Sequence, residues 1–134
     1  MRNHVIIKTK LSNFDLDINL SIVRGINCLF GPSGSGKTTI INCIAGLVRP
    51  DTADIEIDKV KLNNTKENIF TPIHKRNIGY VFQDSRLFPH LSVKKNLLYG
   101  TKFNKSEKFK FLDIVKLLVL ESLLNRYTYN LSGG

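Results

Sequence analysis

The sequence predicts a single α/β domain, and three observations support this. Residues 14–22 alternate apolar and polar side chains, which is typical of a strand with one buried face. A glycine-rich stretch at 31–39 separates an apolar run at 25–30 from a helical pattern at 38–47. From Leu91 onward, apolar residues recur at helical spacing. We therefore expect strands in the first two thirds of the chain and helices in the last third.

The same periodicities predict the individual elements. Predicted strands cover residues 4–10, 14–22, 25–30, 55–58, 60–62 and 77–82. Predicted helices cover residues 38–47 and 92–99, a longer stretch capped by Ser106, and residues 120–126. The runs at 25–30 and 77–82 are nearly continuous in apolar residues, so both are expected to be buried strands.

Composition narrows the class of protein. The chain has 134 residues, 42% of them hydrophobic and 23% charged, which is ordinary for a soluble globular domain. No apolar run reaches transmembrane length and Met1–His4 lacks the apolar segment of a signal peptide, so we expect a cytosolic protein. Cys28 and Cys43 have apolar neighbours and are expected to be buried thiols rather than a disulfide or metal pair.

The net charge of +9 fits a nucleic-acid partner, an anionic membrane surface or a solvated basic surface. The lysines are scattered along the chain and are not interleaved with aromatic residues. We therefore interpret the charge as a solvated surface and expect no nucleic-acid partner.

The stretch at 31–39, called the phosphate loop below, fits the pattern G-x-x-x-x-G-K-[ST]. Its glycines permit positive φ and let the backbone approach a phosphate closely. Lys37 is expected to reach the β- and γ-phosphates, and the Thr38 hydroxyl to ligate Mg²⁺. A glycine-rich turn with an incidental lysine is the alternative, and the strand–loop–helix context argues against it. The residues predicted to bind nucleotide here are Gly31, Ser33, Gly34, Ser35, Gly36, Lys37, Thr38 and Thr39.

Gln83 follows a predicted strand and begins a loop. A side-chain amide in that position can ligate Mg²⁺ or position an attacking water, although a lone glutamine is more often a solvent-facing residue. The sequence Leu131–Gly134, Leu-Ser-Gly-Gly, is similarly weak by itself and could be a flexible linker. Gln83 and the Leu-Ser-Gly-Gly sequence are informative only because the same chain also contains the phosphate loop.

Taken in order, the phosphate loop, Gln83 and the final Leu-Ser-Gly-Gly resemble the nucleotide-binding domain of ATP-binding cassette (ABC) proteins. The resemblance implies a P-loop NTPase core of ABC type, with an N-terminal antiparallel β-layer and a helical subdomain. It implies ATP and Mg²⁺ as cofactors, and Lys37 and Gln83 as catalytic residues. Thr38 and Gln83 would ligate the metal. Ser132, Gly133 and Gly134 would contact ATP held by a second copy of the chain in a head-to-tail dimer.

Two further stretches resemble the importer branch of this family. Residues 71–84 fit that branch, and residues 84–100 are most similar to the ATPase subunits of molybdate importers. The resemblance implies an integral-membrane permease docked on Asp84–Asn96 and, indirectly, a periplasmic or lipoprotein substrate-binding protein. It places the chain peripherally on the cytoplasmic face of the inner membrane. Phe14 lies where the family offers an aromatic ring to adenine, but it also fits the buried face of its strand.

The resemblance implies a partial ABC ATP-binding domain over residues 1–134. Residues 1–83 would form the nucleotide-binding core and residues 84–134 the helical subdomain up to the signature motif. In the family, the rest of the signature, a strand ending in Asp-Glu and a histidine follow, so we expect a missing C-terminal part, an exposed hydrophobic edge beside the phosphate-loop strand, and poor or no hydrolysis.

Other functions stay open. One is a truncated nucleotide-binding module without turnover. Another is the ATPase of a sulfate, iron or polyamine importer. A third, a non-transport ABC ATPase acting on DNA or ribosomes, is disfavoured by the importer-like stretch at 84–100 and by the absence of a long heptad segment.

Overall fold

A computed structural model describes residues 3–84, 86–102 and 110–131 of the chain. The chain divides into two compact units, Met1–Val81 and Phe82–Gly134. The assignment of a nucleotide-binding core to residues 1–83 and of a helical subdomain to residues 84–134 remains a prediction.

The first unit is built on a five-stranded antiparallel sheet with the strand order β2-β1-β3-β4-β5. The strands are β1 (Asn3–Lys10), β2 (Asp15–Ile22), β3 (Thr52–Ile57), β4 (Val60–Asn64) and β5 (Ile69–Phe70). Val5 of β1 lies opposite Leu20 of β2 and Ile55 of β3, so β1 pairs on both of its edges. The hairpin between β3 and β4 turns at Asp58 and Lys59, both with positive φ, as two-residue hairpin turns require.

One face of this sheet packs against the helix α1 (Lys37–Ala45), the only α-helix among the described residues of this unit. The shared core consists of Val5, Ile7, Leu16, Ile40, Cys43, Ala53, Ile55 and Leu62. The alternation in β2 places Leu16 inward, and the helical spacing of α1 places Ile40 and Cys43 on the same side. This core fixes α1 on the sheet, and α1 begins directly after the phosphate loop.

The predicted strands at 25–30 and 77–82 are wrong for the described chain, in which neither segment belongs to a strand. An extended segment becomes a strand only when another strand takes up its backbone hydrogen bonds, and no described segment does so here. Ile26, Phe30 and Val81 are 97–100% exposed, because no described strand pairs with these segments and covers them. Cys28 is exposed for the same reason, contrary to prediction, whereas Cys43 is buried as predicted.

The second unit contains short helices. Its α-helices are α2 (Val93–Leu97) and α3 (Phe111–Leu117), and its 3-10 turns are Tyr99–Lys102, Glu121–Leu123 and Thr128–Asn130. The predicted helix at 92–99 is therefore shorter than expected, and the one at 120–126 is a single 3-10 turn. The predicted cap at Ser106 lies outside the described residues.

The start of α2 is fixed by a side-chain cap and by two backbone hydrogen bonds to a later segment of the chain. Its first turn is capped by Ser92, whose hydroxyl accepts from the Lys95 N–H at 3.4 Å. The Val93 N–H donates to the Arg126 carbonyl and the Lys94 N–H to the Leu124 carbonyl, each at 2.9 Å. The segment around residues 124–126 therefore satisfies N–H groups that a free helix start would leave without partners. None of the described helices combines the length and apolar character needed to cross a bilayer.

Candidate functional site

Two glycines give the phosphate loop its shape. Gly34 has φ of 81° and Gly36 has φ of 88°, a backbone conformation that costs other residues free energy. Gly36 is also close to strand β2: a Cβ atom there would lie 3.0 Å from Leu16 Cδ1 and 3.4 Å from Phe14 Cζ. Position 36 therefore requires glycine for two reasons, backbone conformation and space.

The side chain of Lys37 turns back into the loop that precedes it. Its Nζ donates to the carbonyl oxygens of Gly31 at 2.8 Å and Pro32 at 2.6 Å, and to the Ser35 hydroxyl at 3.3 Å. All three acceptors belong to the loop that precedes Lys37. The loop is thus closed around a cation that a phosphate could approach.

The amino-terminal end of α1 is suited to an anion. The first N–H groups of any helix lack intrahelical partners, and the helix dipole is positive there. In α1, Gly36 provides no capping side chain and the first turn contains no acidic residue. Thr38, in that first turn, is exposed. Backbone donors, a lysine and an accessible hydroxyl therefore meet without a carboxylate competing for them, and this donor set fits a nucleotide phosphate.

Phe14 lies beside this loop, just ahead of β2. Phe14 is 38% exposed, and Cζ of its ring lies 3.4 Å from the point where a Cβ atom on Gly36 would be. It is thus outside the buried core, in contrast to Leu16 two residues later. The ring is accessible for stacking, and a role with adenine remains a prediction.

The other predicted site residues belong to the second unit. Gln83 and Asp84 are exposed in a bend, and the guanidinium of Arg86 lies 4.0 Å from the centre of the Phe82 ring. The metal-ligating and catalytic roles of Gln83 remain predictions. Ser132, Gly133 and Gly134 lie outside the described residues.

The segment predicted to meet the permease, Asp84–Asn96, is organised by its last residue. The Asn96 amide accepts a hydrogen bond from the Phe88 N–H at 2.8 Å and donates to the carbonyls of Phe88 and Leu91 at 3.1 and 3.2 Å. An apolar groove of about 170 Å³ lies next to it. The groove is lined by Leu87, Val93, Asn96, Leu97, Thr128 and Leu131.

Sequence reasoning missed a group of polar residues behind α1. Arg76 is only 5% exposed, and it hydrogen-bonds the carboxyl-terminal end of the helix that follows the phosphate loop. Burial lowers the pKa of Arg76, and burial raises the pKa of the neighbouring Cys43 thiol. Arg76 lies within the importer-like stretch at 71–84, but that resemblance gives the arginine no role.

Solved structures resemble this chain over almost its whole length. The ATP-binding cassette MJ0796, in a dimeric post-hydrolysis state bound to ADP and Pi, matches with a TM-score of 0.68 and 27% identity. The match covers 99% of this chain and 64% of the cassette. Together with the observed antiparallel layer, this match confirms the predicted fold class.

Curated relatives are more similar in sequence. The molybdenum import ATP-binding protein ModC of Photobacterium profundum is 49% identical over 129 residues, covering 96% of this chain and 36% of the relative. ModC of Rhizobium meliloti is 43% identical over 136 residues, covering 100% of this chain and 38% of the relative. The chain thus spans little more than a third of the length of these relatives.

The family model described as ABC transporter matches residues 14–134. That range includes the phosphate loop, Gln83 and the final Leu-Ser-Gly-Gly, the three motifs on which the predicted resemblance depends. The resemblance is confirmed, and the chain belongs to the ABC transporter family.

Proposed function

We propose that this chain is the nucleotide-binding part of the energy-coupling ATPase subunit of an ABC importer, with molybdate as the transported substrate. The observation that carries the proposal is the phosphate loop closed around Lys37 at the uncapped start of α1. The choice of molybdate as the substrate is based on the relatives, which are molybdenum import ATP-binding proteins and are 43–49% identical to this chain.

Each loop residue has a distinct part in binding. The backbone donors at Gly34–Gly36 and the first turn of α1 surround the phosphates, while the Lys37 ammonium neutralises the β- and γ-phosphate charge. Lys37 then exchanges its bonds to the Gly31 and Pro32 carbonyls for bonds to phosphate oxygens. Phe14, beside the loop, stacks on the adenine ring.

The proposed metal ligands are Thr38 and Gln83. Thr38 supplies a hydroxyl ligand and Gln83 a side-chain amide oxygen, both hard oxygen donors of the kind that Mg²⁺ prefers. The metal would supply charge neutralisation between the β- and γ-phosphates. Gln83 also orients the attacking water, and turnover would need an acidic general base as well.

Assembly follows from the predicted signature residues. Ser132, Gly133 and Gly134 approach the phosphate loop of a second copy, so the complete site needs two copies in head-to-tail arrangement. The segment Asp84–Asn96 binds the permease subunit on the cytoplasmic face of the membrane, and a substrate-binding protein acts through that permease. Closure of the dimer around ATP, followed by hydrolysis, would switch the permease between its inward-facing and outward-facing states.

A chimera tests this function. Residues 1–134 replace the matching segment of Photobacterium profundum ModC, and the chimera is expressed in a strain that lacks its own molybdate-import ATPase. We expect molybdate-dependent growth and ATP-driven phosphate release to be restored, and Lys37→Ala in the chimera to abolish both. Restored phosphate release without molybdate-dependent growth would overturn the assignment to a molybdate importer. Full phosphate release in the Lys37→Ala chimera would overturn the ATPase role.

A further inference from the structure

The carboxyl-terminal end of α1 is held by a single buried side chain. Arg76 Nη1 donates to the carbonyl oxygens of Cys43 at 3.1 Å and Ile44 at 2.8 Å. Nε of the same guanidinium donates to the Thr71 carbonyl at 2.7 Å, and Nη2 donates to the Asn63 side chain at 2.6 Å. The planar fork of an arginine can bond several elements at once, which a lysine cannot do. Arg76 thereby joins α1, β4 and the segment after β5.

The charge of Arg76 suits this place. The last carbonyls of a helix lack intrahelical partners and carry partial negative charge, so a cation there is stabilising. The last turn of α1 contains no basic residue of its own. Arg76 supplies that cation from elsewhere in the chain, with its guanidinium 5.0 Å from the centre of the Phe70 ring.

A second bond is made to the preceding residue of the helix. The Tyr80 hydroxyl donates to the Asn42 side-chain oxygen at 2.6 Å. Tyr80 follows Arg76 by four residues, so one short segment contacts α1 at Asn42, Cys43 and Ile44 in succession. These bonds restrain both the tilt of α1 and its rotation about its own axis.

Helix geometry links these bonds to the phosphate loop. A nine-residue helix is about 13 Å long and rigid, so a tilt of about 5° at its far end displaces the first turn by about 1 Å. Lys37 and Thr38 form that first turn. A displacement of about 1 Å in a site built for phosphate is enough to weaken its interactions.

We infer that Arg76 and Tyr80 are positioning residues for nucleotide binding. Neither touches the nucleotide; they hold α1 so that the phosphate loop is in its binding conformation before the phosphate arrives. The inference rests on the proposed nucleotide-binding function and adds a structural requirement to it.

The main experiment is a calorimetric titration of the 134-residue chain with ATP and Mg²⁺. Wild type is compared with Arg76→Lys and Tyr80→Phe, and the matched controls Arg24→Lys and Tyr129→Phe change exposed residues of the same types. We expect the dissociation constant to rise about tenfold for Arg76→Lys and about threefold for Tyr80→Phe, since charged hydrogen bonds are the stronger ones. The binding stoichiometry and both controls should stay at the wild-type values.

The folded fraction separates positioning from simple destabilisation. A variant that only destabilises the fold raises the apparent dissociation constant by the reciprocal of its folded fraction, which urea denaturation measures, and leaves the dissociation constant of the folded molecules unchanged. That result, or unchanged binding in both variants, would overturn the inference. Tyr80→Phe removes only a hydroxyl group and should fold, so this variant still tests the inference if Arg76→Lys fails to fold.

Hydrogen exchange of the nucleotide-free chain supplies a second readout. We expect the amides of Ser35 and Ile40, which donate to the Pro32 carbonyl at 3.3 Å and the Gly36 carbonyl at 2.9 Å, to exchange faster in Tyr80→Phe than in wild type, and Tyr129→Phe to leave them unchanged. Equal exchange would overturn the inference even if wild type bound no ATP. Absence of ATP binding by wild type would instead count against the proposed function, so the two failures are distinguishable.

Discussion

Lys37 Nζ lies 2.6 Å from the carbonyl oxygen of Pro32, within the same loop. The lysine expected to bind phosphate therefore stabilises the nucleotide-free loop as well. Binding would exchange these carbonyl acceptors for phosphate oxygens, so the ammonium is never left without hydrogen-bond partners.

Replacing this lysine should affect the loop with and without nucleotide. In Lys37→Met, we expect ATP affinity to fall at least about tenfold, because charged hydrogen bonds to phosphate are lost. We also expect faster hydrogen exchange in the nucleotide-free chain at the Ser35 amide, which donates to the Pro32 carbonyl at 3.3 Å. Lys75→Met, which changes an exposed lysine, is the control for both measurements. Unchanged exchange in Lys37→Met would contradict the role of the lysine in the free loop.

The close contact between Gly36 and β2 predicts a stability effect. Gly36→Ala places a methyl group 3.0 Å from Leu16 Cδ1 on a backbone with φ of 88°. We expect the free energy of unfolding to fall by about 1–3 kcal/mol, measured by urea denaturation. Gly100→Ala is the matched control, because a Cβ there meets no atom within 4 Å. Equal destabilisation by both substitutions would contradict the contact as its cause.

Phe14 can be tested by comparing ligands with and without adenine. In Phe14→Ala, we expect ATP affinity to fall about three- to tenfold, since aromatic stacking contributes about 0.5–1.5 kcal/mol. Binding of inorganic tripolyphosphate should be unchanged, because that ligand has no ring to stack. Phe14→Tyr retains an aromatic ring and should bind ATP as wild type does. A parallel loss of tripolyphosphate binding in Phe14→Ala would indicate that the ring supports the loop instead.

Asp51 predicts a pH dependence of stability. The Lys10 N–H at 2.8 Å and the Thr9 hydroxyl at 3.1 Å donate to its carboxylate, and these bonds lower the pKa of Asp51 below its ordinary value. Because the folded pKa is lower than the unfolded one, the contribution to stability is complete above about pH 4 and disappears as the pH falls through the folded pKa.

The variant Asp51→Asn tests this dependence. At pH 7 we expect it to unfold at a lower urea concentration than wild type, and the difference between the two should shrink as the pH falls below about 4. Asp15→Asn, which changes an exposed aspartate at the start of β2, is the control. A difference that is constant with pH would show that the Asp51 carboxylate contributes no charge-dependent stability.

Local patterns predicted the elements that depend on local sequence. The alternation at 14–22 and the helical spacing at 38–47 correspond to β2 (Asp15–Ile22) and α1 (Lys37–Ala45), within two residues at each end. The loop between strands and helix was recognisable because its glycine and lysine spacing has a direct physical purpose. The spacing of apolar residues along the sequence was enough to predict these two elements.

Pairing and long-range contacts were not predictable in the same way. The runs at 25–30 and 77–82 have the composition of buried strands, but strand formation depends on a partner that no local pattern reveals. Arg76 bonds residues from three separate parts of the chain, and none of these partners lies near it in sequence except Thr71. Its role therefore became visible only from distances.

Gly46, the residue that ends α1, is constrained by the same arginine. It has φ of 82°, and a Cβ there would lie 2.4 Å from Arg76 Nε. In natural variation, the two positions should therefore covary: a side chain at 46 should occur only with a smaller residue at 76. Where residue 76 is smaller, asparagine should be the most frequent replacement at position 46, because the backbone there stays left-handed and asparagine tolerates that conformation. Substitution tolerance at position 46 would thus reveal, from sequences alone, whether a homologue still has its arginine at position 76.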